Sequence, residues 1–125
     1  LVTLAAARAL NCRYCLLAHG AILIKNGVSV DQLRLILTNF KNAGLEPVEV
    51  AMMEFAQKII RAANEISGAD VDVLRTLGLN DTEIFDITLT ATMRSFASKT
   101  FDALGAEPDA AYKELAQQLS DLLPD

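Results

Sequence analysis

The chain has 125 residues, 52% of them apolar, and a formal net charge of -5. That length fits one domain able to bury a real core. The acidic balance, with no basic run, argues against nucleic acid and anionic membranes as partners.

The opening LVTLAAARAL is rich in good helix formers and predicts a first helix over Leu1 to Leu10. It carries Arg8 and has no basic segment before it, so it reads poorly as a secretion signal. The chain does not begin with Met, and we expect it to start partway into a longer protein. A second helix is expected from about Cys12 to the helix-ending pair Asn26-Gly27. Asn11 is the candidate cap, unless the first two helices are one with a bend. The charge-free stretch from Tyr14 to Ile24 falls far short of the roughly 20 residues that span a bilayer. Ser29 and Gln32 have capping-box spacing and open a third helix, running to about Asn42 and stopping at Gly44.

Pro47 suits the first turn of the next helix. Its Met52, Phe55, Ala56, Ile59, Ile60 and Ala63 recur at one-face helical spacing. A short helix over Val71 to Leu77 ends at Gly78. Asn80 with Glu83 opens a long helix to about Leu104, closed by Gly105. Between Asp86 and Arg94 this helix has no charge, which predicts a central, buried position. Pro108 opens a last helix to about Leu123. No useful strand pattern occurs. The expected fold is all-α, one domain over residues 1–125, and the high apolar content points to surface buried between copies in a homo-oligomer.

Both cysteines and the single histidine lie in "NCRYCLLAHG", residues 11–20. On a helix, Cys12, Cys15 and His19 at i, i+3 and i+7 point to one side. Cys15 and His19 are an i, i+4 pair, and Cys12 and Cys15 have the spacing at which a helical turn can close a disulfide. Backbone N–H groups at a helix start favour a thiolate, and Arg13 adds positive potential. These are the ingredients of a reactive dithiol. In this reading Cys15 attacks the O–O bond of a peroxide and becomes a sulfenic acid, Cys12 condenses with it, and His19 moves protons.

Other readings stay open at this point. Buried Cys and His often serve only as core residues. Cys-x-x-Cys plus His also supplies three zinc ligands, one short of a closed structural site. A thioredoxin-like fold is disfavoured, because it sets the motif after a β-strand and a helix-forming run stands here. Tyr14 faces a pocket or simply packs. Gly20 allows a close helix contact, and Asp70 and Asp72 read as solvated. Sliding the chain by 83 positions sets Ser95 and Ser98 opposite Cys12 and Cys15, an echo that is either a decayed duplication or, the favoured reading, chance similarity between two apolar helices.

Cys-x-x-Cys-x-x-x-His after an Ala-rich helical run resembles the core motif of the AhpD-like alkylhydroperoxidases, in the carboxymuconolactone decarboxylase superfamily and closest to its peroxidase-related branch. The segments "EPVEVAMMEFAQKI" and "LGLNDTEIFDITLTATMRSFASKTFDALGAEPD" extend the likeness over nearly the whole chain. The resemblance implies a bundle of about six to seven helices that assembles as trimers or hexamers. It implies a thiol-dependent reduction of hydroperoxides, with the motif disulfide re-reduced by a protein or small-molecule thiol; two cysteines without a secretion signal read as chemistry in a reducing cytoplasm, and no cofactor is expected. Cys15 matches the cysteine that becomes sulfenic acid, Cys12 its resolving partner and His19 the proton-relay histidine. The family's relay glutamate falls immediately before Leu1. Some members carry a histidine where Tyr14 stands. The superfamily's decarboxylase branch does not rely on this dithiol.

Overall fold

The computed structural model describes residues 1–124, and within them the chain forms seven α-helices and no strand. They are α1 (Val2–Ala9), α2 (Arg13–Lys25), α3 (Val30–Asn39), α4 (Pro47–Ala62), α5 (Gly68–Thr76), α6 (Asp81–Ala103) and α7 (Lys113–Gln118). The expected punctuation is where the helices turn over. Ser29 Oγ accepts from the Gln32 N–H at 3.1 Å to start α3. Pro47 opens α4, while Asn80 and Glu83 cap each other's backbone N–H at the start of α6. Gly27 and Gly105 take the left-handed backbone that ends α2 and α6. The third helix tightens into a 3₁₀ turn at Phe40–Asn42 before Gly44.

The centre of the fold is α1. Its Leu4, Ala5, Ala6 and Ala7 are all buried, and it packs against α2, α4 and α6. Alanine leaves the backbone no side-chain bulk to hold neighbours off, so three helices can close on one short segment. α4 contributes Met53, Phe55, Ala56 and Ile59 to this core; Met53 is buried where the spacing pointed to Met52, which is half-buried. Gly20 lets α2 approach α3: a Cβ there would stand 3.0 Å from Leu33 Cδ2.

Three expectations are corrected. α6 is not a buried central helix. Ile84, Ile87, Ala91 and Ser98 face the core, but Phe85, Leu89, Met93 and Phe96 lie exposed along the opposite side, Phe96 at 72%. An uncharged helix has no polar face to mark which side is covered, so its sequence overstated its burial. The last helix is shorter than expected: a 3₁₀ turn at Ala110–Tyr112 precedes α7, whose Leu115, with Leu119 just beyond, anchors it. Asp70 is not simply solvated. It accepts from Lys58 of α4 at 2.6 Å and from the Ser67 N–H at 2.8 Å.

Arginines fix the end of the chain. Arg34 makes a two-pronged pair with Asp121, at 2.7 and 2.8 Å, and Arg8 and Arg13 donate to the Leu122 and Pro124 carbonyls. Arg13 is thus committed to the C-terminal segment rather than to the thiols. No helix of the described residues is long and apolar enough to cross a membrane.

Candidate active site

The site begins at the junction of α1 and α2. Asn11 is left-handed, with φ 57°, a conformation Asn tolerates better than most residues. The turn is closed by the Cys12 N–H donating to the Ala7 carbonyl at 3.1 Å, so Asn11 ends α1 rather than capping α2. The cap passes to Cys12. Its backbone is extended, and its sulfur accepts from the Cys15 N–H at 3.4 Å. The two helices are therefore separate, and the two thiols sit as neighbours at the first turn of α2.

Both are free thiols and both are buried, at 0% and 1% exposure. Burial pushes the Cys12 thiol up to about 11, with its hydrogen bond to the Cys15 side chain adding to the rise. The Cys15 N–H and the Ser98 hydroxyl pull the other way and are outweighed. Desolvation thus overrides, at Cys12, the thiolate preference expected of a helix start. Cys12 rests as a protonated thiol.

Cys15 faces α6. Its Sγ lies 3.1 Å from Ser98 Oγ, and Ser98 is itself fully buried. Sequence reading gave Ser98 no role, although the 83-residue echo had set it opposite Cys15. The echo is not a structural repeat: α6 runs unbroken where α1 and α2 are divided at Asn11.

His19 lies one turn further along α2 and half-buried. Its Nε2 is 3.0 Å from Arg94 Nη1 on α6. A guanidinium has only donors, so Nε2 accepts and the neutral ring carries its proton on Nδ1. Burial, and then the Arg94 charge, hold the imidazole below its ordinary value and keep it neutral. No Cys15–His19 hydrogen bond is made here: among the described residues the ring's hydrogen-bond partner is Arg94, not sulfur. Arg94, like Ser98, was missed. No three His, Cys, Asp or Glu side chains among the described residues gather closely enough to hold a metal ion, the motif trio included.

Tyr14 packs rather than lining a pocket. Its ring lies 5.0 Å from that of Phe101 and edge-on to Tyr112, and its hydroxyl donates to Asp109 at 3.2 Å. It pins the segment after α6 over the start of α2.

The model of the carboxymuconolactone decarboxylase family matches residues 1–58, which include the motif. None of the curated proteins matches the chain. Among solved structures, an uncharacterized peroxidase-related protein from Silicibacter sp. TM1040 superposes with a TM-score of 0.84 at 31% identity, over 89% of this chain and 58% of that one. An uncharacterized peroxidase-related protein from Ralstonia eutropha JMP134, described as an alkylhydroperoxidase AhpD core, gives 0.80 at 26% identity, over 99% of this chain and 63% of that one. This chain thus spans less than two thirds of either structure. The all-helical fold, the dithiol at the head of α2 and these likenesses together support an AhpD-like member of the carboxymuconolactone decarboxylase superfamily.

Proposed function

We propose that the protein is a thiol-dependent peroxidase whose working parts are Cys15, Cys12 and His19. The observation that carries this reading is the pair of free, adjacent thiols at one helix start, one of them facing a fixed hydroxyl. The names of the two structural relatives point the same way.

In this account the ionised Cys15 sulfur attacks the distal oxygen of a hydroperoxide. The O–O bond breaks, Cys15 becomes a sulfenic acid, and the departing alkoxide takes a proton to leave as an alcohol. Cys12 then attacks the sulfenic sulfur; its thiol proton and the hydroxyl leave as water, and a Cys12–Cys15 disulfide remains. His19, neutral in the resting structure, receives the proton that Cys15 gives up, after its ring turns from Arg94 or through exchange of its ring proton. An external thiol supplies the two electrons that reopen the disulfide. No cofactor is called for. Because both sulfurs are buried, substrate and reductant reach them only when the covering groups move.

We place the protein in the cytoplasm, as a homo-oligomer of trimer or hexamer type. The row Phe85, Leu89, Met93 and Phe96 supports association: four large apolar side chains, spaced along one helix face, stand in water in the single chain.

The test is a pair of variants. Cys15→Ser is expected to reduce peroxide turnover to background, measured by hydroperoxide consumption with a dithiol donor. Cys12→Ser is expected to leave a sulfenic acid on Cys15 that a dimedone-type reagent traps. Undiminished turnover by Cys15→Ser would refute the assignment.

A further inference from the structure

We propose that the Ser98 hydroxyl donates a hydrogen bond to the ionised Cys15 sulfur and so holds the attacking thiol in its reactive form. The inference rests on the peroxidase reading only in taking Cys15 as the attacking group.

Ser98 is the one polar side chain in the fully buried set of the described residues. A buried hydroxyl needs a partner, and on a helix the nearest is the carbonyl one turn back. Thr88, Thr92 and Thr100 of the same helix make that bond, donating to the carbonyls of Ile84, Thr88 and Phe96 at 2.8 to 3.0 Å. Ser98 does not follow them. Its oxygen lies 3.1 Å from Cys15 Sγ, across the α2–α6 interface. While Cys15 is a thiol either atom can donate. Once Cys15 is ionised the sulfur has no hydrogen, and the direction is fixed: Ser98 donates.

That bond matters because of where it sits. A thiolate with 1% exposure has almost no water to stabilise it. A hydrogen bond to a charged acceptor is strong, and more so in a low-dielectric interior. The same hydroxyl also favours the ionised form of Cys12, but there burial wins. His19 does not fill this place in the resting structure: its Nε2 faces Arg94, and among the described residues its ring makes no hydrogen bond to sulfur.

The experiment follows the Cβ resonance of each isotope-labelled cysteine by NMR across pH, in the reduced protein. Ser98→Ala is expected to move the Cys15 ionisation midpoint up by about one pH unit, a tenfold smaller ionised fraction below the midpoint. Oxidation by a small alkyl hydroperoxide at neutral pH is expected to slow about tenfold in step. Ser98→Thr and Ser98→Val have the same shape and differ by the hydroxyl alone, so they decide the matter even if Ser98→Ala folds poorly. A Thr variant close to wild type beside a Val variant shifted like Ala supports the proposal. Equal midpoints in the Thr and Val variants overturn it, since a merely structural role moves both alike. The titration uses no peroxide. A wild-type protein that ignores peroxide while the Val midpoint shifts would refute the peroxidase reading and leave the role of Ser98 standing.

Discussion

α1 and α6 are both apolar helices, and the fold treats them in opposite ways. α1 is eight residues, half of them alanine, and is enclosed by three neighbours. α6 is twenty-three residues with larger apolar side chains, yet one face looks outward. The difference shows that small side chains, more than apolar ones, determine which helix others can close upon. It also divides the site. The junction beyond α1 supplies both thiols from a single helical turn; α6 supplies what the motif faces, Ser98 against Cys15 and Arg94 against His19.

The largest effect that would sharpen this contrast comes from adding bulk to α1. Ala6 is fully enclosed, and Ala6→Leu is expected to cost about 1–3 kcal/mol through overpacking, measured by chemical denaturation. On the outer face of α6, Phe96→Ser is expected to change the stability of a single chain by no more than about 0.5 kcal/mol, while lowering the association state seen in sedimentation. If both substitutions cost the same in a monomer, the assignment of inner and outer helix is wrong.

A smaller effect tests the link from α6 to the motif. Arg94→Met removes a positive charge from the imidazole, so the His19 pKa is expected to rise toward its ordinary value of 6.5, read by NMR titration of the ring. The sign for stability follows. With the folded value depressed, neutral His19 contributes fully above 6.5, and the contribution is lost as pH falls through the lowered value. Arg94→Met narrows that window. A His19 titration unmoved by the substitution would break the pairing.

The smallest effect lies away from the site. Lys58, first, and then the Ser67 N–H hold Asp70 down to about 2 from 3.8. Its contribution is complete above 3.8 and is lost as pH falls through about 2. Asp70→Asn is expected to remove that part of the acid sensitivity in unfolding curves taken across this range, and to leave stability near neutral pH only slightly lower.

Much of this was legible in the sequence because it is local. Asn26-Gly27, Ser29, Pro47, Asn80 and Gly105 end or begin helices through contacts a few residues away, and each does so in the structure. The grouping of Cys12 and Cys15 was legible for the same reason. The cap was misplaced by one residue, since cysteine is a poor cap by habit and Asn11 a good one; the left-handed turn at Asn11 reversed their roles. The outward face of α6 was not legible, because an uncharged helix carries no mark of which side is covered. Ser98 and Arg94 stand 83 and 75 positions from their partners. No local pattern joins residues so far apart; packing of α6 on α2 does. His19 illustrates the same limit, since helical spacing allowed it to meet Cys15 and a distant arginine took its Nε2 instead.

The most direct measurement of the central claim is the intact mass of the reduced protein before and within seconds after one equivalent of a small alkyl hydroperoxide. The account predicts a loss of two hydrogens, mapped by proteolysis to a bond between Cys12 and Cys15. An unchanged mass, with both thiols still free to titrate after unfolding, would contradict it.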